Sequence, residues 1–461
     1  MLEKKERMDW QKLLSQERFR GLEEPPSKDK IKEVRSTFMK DADRIIYSSA
    51  FRRLQDKTQV HPFPGTDYIR TRLTHSLEVS TVGRSLGLAV GRDIGTNSDL
   101  DLSDFGNVVA AACLAHDIGN PPFGHAGEEA IQYWFKHPSQ AKTLGKIKGA
   151  NAAEKKADFQ AFNGNAQGFR ILTRLSGWRE QGGLRLSCAT IGAFMKYPYG
   201  SCSTDPETGG KSPRKKLGYF QNDKQAFDAI ANTLGLLAKP SDPSSRCRHP
   251  LAYLVEAADD ICYNVIDLED GYKCKMLTYK EVSKLFLELL DKQLDMGRLQ
   301  SIEDNQDKIS YLRAKAIGIL IEQAYQVFMD NQDFILSGEF EGRLLKKIKS
   351  SDVMLAIENI NRKKIYREKI EEELAGFRVI FDLLEQFMNS FENWYETRNN
   401  PDELLPLHEK MLRLLPRHDK MPDDWYEGLL VITDYVSGMA DRFALAKFEK
   451  LSGINVNVGR A

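Results

Sequence analysis

The run from Asn107 to Ile118 constrains this chain more than any other stretch. It is apolar throughout, reads as helix, and is stopped by Gly119-Asn120-Pro121-Pro122. His116 and Asp117 close it, in a position that belongs in a core. A charge there is costly unless it is paired or bound to metal. The pattern recurs. His75, in Arg72-Leu73-Thr74-His75-Ser76, is followed by Val79, Val82, Leu86 and Val90 at helical spacing, which predicts an inward-facing imidazole. Asp259 falls in a helix predicted from His249 to Asp267, beside Val255, Cys262, Tyr263 and Ile266. Asp259, Tyr263 and Asp267 are four apart and line up along it. Two imidazoles and two carboxylates on packed helices suit a divalent cation.

Alternating strand-like runs are nearly absent, so the expected fold is all-α, mostly helical, with at most a minor hairpin. Long amphipathic helices are predicted over about 279–297, 308–331, 341–361 and 366–396. Two stretches read as loops: the Lys- and Ala-rich 136–158, and 200–216, which holds Gly, Ser, Pro and Thr with Lys211, Arg214, Lys215 and Lys216. The metal candidates span 75 to 259, which makes most of the 461 residues one globular unit. Within it we expect a core at 60–275 carrying the metal site and a helical part at 276–461 closing the pocket and supporting contacts between subunits.

Charge is balanced, at 66 basic and 66 acidic residues, so bulk electrostatics names no partner. No apolar stretch approaches the roughly 18 residues of a membrane span. The N-terminal Met1-Leu2-Glu3-Lys4-Lys5-Glu6-Arg7 lacks the apolar run of a signal peptide. Cys113, Cys188, Cys202, Cys247, Cys262 and Cys274 show no CxxC pairing and read as reduced thiols, several of them in apolar helical runs. These features predict a cytoplasmic protein without a membrane partner.

His125 and Glu128 follow the Pro-Pro break three residues apart. If helix resumes after Phe123 they share a face, where Glu128 would set the imidazole's tautomer and raise its pKa as an acid–base couple. A helix cap with a surface carboxylate is the plainer reading of the same spacing, and Glu129 is the adjacent alternative.

The order His75, His116-Asp117, Asp259 resembles the HD superfamily of metal-dependent phosphohydrolases. The flanking sequence is closer still to its deoxyguanosine triphosphate triphosphohydrolase family. The resemblance is carried by Ser48-Ser49-Ala50-Phe51-Arg52-Arg53-Leu54-Gln55-Asp56-Lys57-Thr58-Gln59-Val60, by His116 through Glu128, by Asn165-Ala166-Gln167 and by Lys196-Tyr197-Pro198-Tyr199. Glu256 through Tyr263 and Asp434 through Arg442 also fit, so the resemblance covers roughly residues 8–450.

The resemblance implies an HD core with additional C-terminal helices, and release of intact tripolyphosphate from a deoxynucleoside triphosphate. It implies metal ligation by His75, His116, Asp117 and Asp259, and catalytic roles for His125 and Glu128. Mn or Mg is the expected ion, and the mixed ligand set also suits Fe, Co, Ni or Zn. Such an ion would polarise the α-phosphate and acidify a water. Arg72, Asn165, Lys196 and Tyr197 match the family's phosphate-contacting positions. Gln59, Tyr263 and Asp267 match residues around the deoxyribose, with Tyr263 a steric wall against a 2′-hydroxyl. Guanine needs an acceptor for N1–H and the 2-amino group and a donor for O6, which Glu371, Glu372, Glu373, Arg378, Asp441 or Arg442 offer. Of these only Asp441-Arg442 lies in a recognisable motif, with Arg442 the substrate-binding candidate and an ion pair within the fold the plainer reading; in this family an arginine near the C-terminus can reach a neighbouring subunit's pocket, and a hexamer is the expected homo-oligomer.

The favoured substrate is therefore a dNTP, dGTP first. An HD phosphatase or phosphodiesterase acting on monophosphates or cyclic nucleotides is the alternative enzyme. A nucleotide-sensing protein that binds single-stranded DNA through basic loops at 142–156 and 211–216 is the alternative from another class.

Overall fold

A computed structural model describes residues 6–29, 33–59, 70–95, 100–176, 182–202, 216–240, 242–291, 294–366, 370–416 and 418–454. The fold is mostly helical, as expected. The strands among these residues, β1 (Ala238–Lys239) and β2 (Asp242–Arg246), pair antiparallel as one small hairpin.

The floor of the molecule is built on two closely packed helices. α1 (Arg72–Gly95) buries His75, Val79, Val82, Leu86 and Val90, the stripe read from the sequence. α2 (Leu102–Ala115) is capped by Asp101, whose side chain accepts from the Ser103 amide, and is buried from Asp104 to Ala115. The two approach closely through glycines of α1. A Cβ on Gly87 would stand 2.7 Å from the Phe105 carbonyl oxygen, and one on Gly91 2.6 Å from that of Leu102. Any larger residue there would force the helices apart.

After Pro121-Pro122 the chain turns into α3 (His125–Lys136), followed by α4 (Ala152–Gln160) and α5 (Gly164–Arg170). The expected loop at 136–158 is thus corrected in part: helix covers Ala141–Gly145 and the start of α4, and 146–151 remain a connecting turn. Lys and Ala are strong helix formers, and Leu144, Ile147, Ala157 and Phe159 give the segment an apolar side that is buried. Most of the other expected loop, 203–215, lies outside the described residues.

α6 (Pro250–Lys273) runs beyond the predicted end at Asp267. Proline at its first position costs no hydrogen bond there, and the His249 ring accepts from the Leu251 amide. α7 (Tyr279–Leu290) stops at Asp291 with φ +37°, short of the predicted 297. α8 (Asn305–Asp330) is as long as expected. The predicted 341–361 helix is broken into a single turn at Leu344–Lys346 and α9 (Ser351–Ile360), which ends in a π-helical turn at Asn361–Ile365. Then come α10 (Ile370–Thr397), α11 (Trp425–Ser437) and α12 (Asp441–Leu451).

Two hydrophobic clusters result. One joins α1, α2 and α6 with α7, α8 and α9, so helices on both sides of residue 275 share it. The other packs α3 and α4 under α10, α11 and α12. Each fully buried Leu or Phe in them contributes about 2 kcal/mol. Among the described residues no helix is long and apolar enough to cross a membrane. All six cysteines are free thiols; Cys113, Cys188, Cys247 and Cys262 are buried, Cys202 is half-buried and Cys274 is exposed.

Candidate active site

Where the two clusters meet, a cavity of 440 Å³ opens, lined by Arg72 of α1, Asp117 and His125 around the Pro-Pro turn, Asp259 and Tyr263 of α6, and Glu373 of α10. Of the predicted donor set, Asp117 and Asp259 line it, and His75 and His116 stand next to these two, off the lining. The imidazole Nε2 of His75, in the first turn of α1, lies 3.2 Å from Asp259 Oδ1. His116 follows the last residue of α2, and its Nδ1 lies 2.7 Å from the Cys113 carbonyl oxygen. A carbonyl only accepts, so Nδ1 carries a proton, and in the neutral ring that a cation would bind Nε2 presents its lone pair. That Nε2 is buried without a hydrogen-bond partner, 3.5 Å from Asp117 Oδ1 and 3.6 Å from Asp259 Oδ1. Ligand atoms of His75, His116 and Asp117 all fall within 4.8 Å of one another.

A lone pair facing two carboxylates in a buried site is repulsive without a cation between them. These residues therefore fit a divalent ion. Their supports fit too. Arg72 Nη1 donates to Asp117 Oδ2 at 2.8 Å, and Asn120 Nδ2 donates to Oδ1 at 2.5 Å, which fixes the carboxylate's orientation. Burial alone would push the Asp259 carboxyl up, but His116, His75 and Lys196 outweigh it and hold it well below the usual range. Burial likewise opposes protonation of His75, and the hydrogen bond and charge of Asp259 reverse that. A bound cation would take the place of this proton.

His125 begins α3 after two successive residues with positive φ, Phe123 (+59°) and Gly124 (+58°). Only glycine fits the second, because a Cβ there would lie 2.8 Å from Arg72 Nη2. The turn leaves His125 exposed on the cavity wall. Glu128 takes another direction. It is buried, its Oε1 accepts from the Gly164 amide at 2.6 Å and from Asn163 Nδ2 at 3.2 Å, and Lys216 Nζ is 3.6 Å from Oε2. The expected direct contact by which Glu128 would set the His125 tautomer is thus corrected: Glu128 anchors α3 to the start of α5. Glu129 is exposed and turned away from this contact.

The remaining candidates divide. Gln59 lines the cavity and its Oε1 is buried without a partner. Tyr263 lines it one turn along from Asp259, and Asp267, a turn further, accepts a hydrogen bond from the Tyr366 hydroxyl. Tyr366, missed by sequence reasoning, follows the π-helical turn and stacks on Tyr263 with centroids 5.7 Å apart. Burial pushes the Tyr263 phenol up to about 12, so it stays protonated. Of the three late glutamates, Glu373 lines the cavity.

Asn165, Lys196 and Tyr197 stand behind the walls. Asn165 Nδ2 donates to Asn163 Oδ1 at 2.7 Å, beside the Glu128 anchor. Lys196 Nζ is 3.3 Å from Glu256 Oε1 and 6.0 Å from the Tyr197 ring centre. Glu256 also meets Arg248 and Arg343, and Arg343 reaches Asp260 on the cavity wall. Burial pushes Asp260 up to about 6, against the pull of Lys196 and Arg343. Arg442 is exposed and paired with Asp56 at 2.5 Å, outside the lining. In the basic stretch 142–156, Lys146 pairs with Glu396 and lies over Trp425, and Lys155 lies over Tyr426.

Comparison with known proteins bears on this geometry. Residues 72–158 match the family model of the HD domain, which takes in every donor but Asp259. A deoxyguanosinetriphosphate triphosphohydrolase-like protein of Synechocystis is 41% identical over 97% of this chain and 100% of its own length. Proteins of the same description from Pseudomonas aeruginosa and Listeria monocytogenes are 40% and 34% identical, each over 97% of this chain and 99% and 100% of their own.

Proposed function

The chain belongs to the deoxyguanosinetriphosphate triphosphohydrolase-like family of HD-domain proteins, and on that premise we propose that it hydrolyses deoxynucleoside triphosphates, dGTP first, to deoxynucleoside and tripolyphosphate. One observation carries the reading: a single cavity has Asp117 and Asp259 at its floor, with His75 and His116 grouped beside Asp117, and Gln59, Tyr263, Tyr366 and Glu373 on its walls. That is a phosphate end and a nucleoside end in one space.

Water attacks the α-phosphorus, its oxygen bonds to phosphorus, and the bond to the 5′ oxygen breaks. His75, His116, Asp117 and Asp259 would hold a divalent ion, Mn or Mg in our reading, which would supply positive charge for the α-phosphate and acidify a water. Arg72 adds a fixed guanidinium at that end, and its tie to Asp117 couples phosphate binding to the floor. Lys196 stands behind the wall in a pair with Glu256, and with Tyr197 and Asn165 it would reach the outer phosphates by giving up that pair. His125, on the cavity wall, gives a proton to the departing 5′ oxygen, and Glu128 holds the helix that presents it.

The partnerless Gln59 Oε1 is an acceptor for the 3′-hydroxyl, and Asp267 reaches the same region through Tyr366. Tyr263, backed by Tyr366, closes the space a 2′-hydroxyl would need. Glu373 accepts from guanine N1–H and the 2-amino group. Arg442, exposed and away from its own cavity, suits the pocket of a neighbouring subunit in a homo-oligomer, which we read as a hexamer. The basic stretch 142–156 is the surface we assign to single-stranded DNA, with Lys146 and Lys155 already committed to packing.

The test is product analysis. Purified protein is incubated with each dNTP and with GTP, in Mn²⁺ and in Mg²⁺, with His116→Ala as control. Deoxynucleoside plus intact tripolyphosphate, absent from the control, is the expected result. Monophosphate with pyrophosphate, or orthophosphate, would overturn it in favour of a phosphatase or phosphodiesterase.

A further inference from the structure

Asp441 is the first residue of α12, far in sequence from every wall of the cavity, and it does not line it. It is 4% exposed. Its Oδ2 accepts from the Thr58 amide at 3.0 Å and its Oδ1 from the Phe123 amide at 3.0 Å. Neither amide belongs to a helical hydrogen-bond ladder. Thr58 bridges to Thr71, next to Arg72, and directly precedes Gln59. Phe123 is the first of the two positive-φ residues that turn the chain into His125. A second tie runs beside the first. Lys57 Nζ donates to the Asn120 carbonyl at 2.5 Å and to the Ser437 carbonyl at 3.4 Å, joining the same three segments. On the outer side, Arg442 grips Asp56.

We propose that Asp441 is a positioning residue: one carboxylate on the C-terminal helix sets the two backbone segments that bring Gln59 and His125 to the cavity. This rests on the reading of the cavity as a deoxynucleotide site. The chemistry favours a carboxylate because only an ionised carboxylate offers an acceptor to both amides at once. A buried amide without an acceptor is unfavourable, so each segment is held to the position that meets Asp441. The turn at Phe123-Gly124 is otherwise strained, and His125 follows it with no side-chain partner to Glu128. The plainer role, an acid stabilising the first turn of α12, would leave His125 and Gln59 where they are.

The experiment compares wild type, Asp441→Asn, Asp441→Glu and, as a control on the exposed end of α12, Lys450→Ala. Asparagine keeps the shape but turns one acceptor into a donor. Amide hydrogen exchange at Thr58 and Phe123 should quicken by about tenfold or more in Asp441→Asn, with α1 and α2 unchanged. The His125 imidazole resonance should move in the same variant. kcat on dGTP should fall by about 100-fold, with KM changed far less. Glutamate, which keeps both acceptors, should restore most of the amide protection and part of kcat. Should Asp441→Asn fail to fold, Asp441→Glu carries the test through a displaced His125 resonance with the amides still protected. In Asp441→Asn, faster amide exchange with an unmoved His125 resonance would overturn the proposal, as would a fall in kcat with both amides unchanged. If wild type releases no tripolyphosphate, the functional reading fails, while the amides and the imidazole still decide whether Asp441 positions this wall.

Discussion

Two buried imidazoles stand at helix ends, one closing α2 and one opening α6, and only one has the marks of a ligand. His249 is fully buried, its Nε2 donates to the Leu13 carbonyl at 2.9 Å, and its Nδ1 accepts from the Leu251 amide at 3.1 Å. Both nitrogens are used, and the ring is part of the fold. His116 gives one nitrogen to Cys113 in the same manner, but its second faces carboxylates with no donor to meet it. His249 is the more deeply buried, so burial does not mark the ligand. The state of the second nitrogen does.

The contrast is broken most directly by removing each ring. His116→Ala should lower kcat/KM by about a thousandfold or more. The chelator-sensitive part of the melting temperature should go with it, since a bound ion stabilises only what it binds. If turnover survives, the unpaired nitrogen is not a ligand. His249 should act through stability alone. Burial pulls its pKa down to about 4 from an ordinary 6.5, so the folded state takes up a proton later than the unfolded chain. Its contribution is complete above pH 6.5 and is lost as pH falls towards 4, about 3 kcal/mol in all. His249→Asn, which retains a cap for the Leu251 amide, should flatten the fall in melting temperature over that range and leave turnover per folded molecule unchanged. A melting curve as acid-sensitive as that of wild type would refute it.

The comparison sharpens on two tyrosines of α6. Tyr253 donates its hydroxyl to the Phe340 carbonyl at 3.0 Å and packs edge-on against that ring, deep in the first cluster. Tyr263 faces the cavity. Tyr263→Ala should narrow the dGTP-to-GTP ratio of kcat/KM by about tenfold or more, whereas Tyr253→Phe should leave the ratio alone. Equal ratios in all three proteins would remove Tyr263 from sugar selection. The smallest effect is expected at the base: Glu373→Gln should reduce the preference for dGTP over dATP by about fivefold, and an unchanged preference would place guanine recognition elsewhere.

The sequence made the floor legible because its residues sit in patterns that physics forces. An apolar helix ending in His116-Asp117 before two prolines, and Asp259, Tyr263 and Asp267 spaced by four along α6, leave few other arrangements. The walls were less legible. Glu128 shares a spacing of three with His125, but the positive-φ turn lifts His125 towards the cavity while Glu128 continues inward to Gly164. Tyr366 comes from a π-helical turn rich in Arg and Lys, where a period of 3.6 carries no signal. Lys196 reads as a phosphate contact in its motif, and only the fold reveals Glu256 already beside it. The helix at Ala152–Gln160 was hidden by a composition that suits a solvated loop as well as an amphipathic helix.

The close glycine contact between α1 and α2 has a kinetic consequence. It places three of the four donors on neighbouring helices joined by a short connection, so their encounter closes a small loop and costs little chain entropy. Asp259 must arrive from 142 residues beyond Asp117, by the difference of their numbers. Assembly should therefore be ordered, with this helical pair forming early and α6 docking late. Pulse-labelled hydrogen exchange during refolding should find α1 and α2 protected before α6; simultaneous protection would mean that the half-built floor never exists by itself. On this order, a nascent or partly unfolded chain holds a three-donor site open to the solvent, where the choice between competing ions is made before the last carboxylate closes over it.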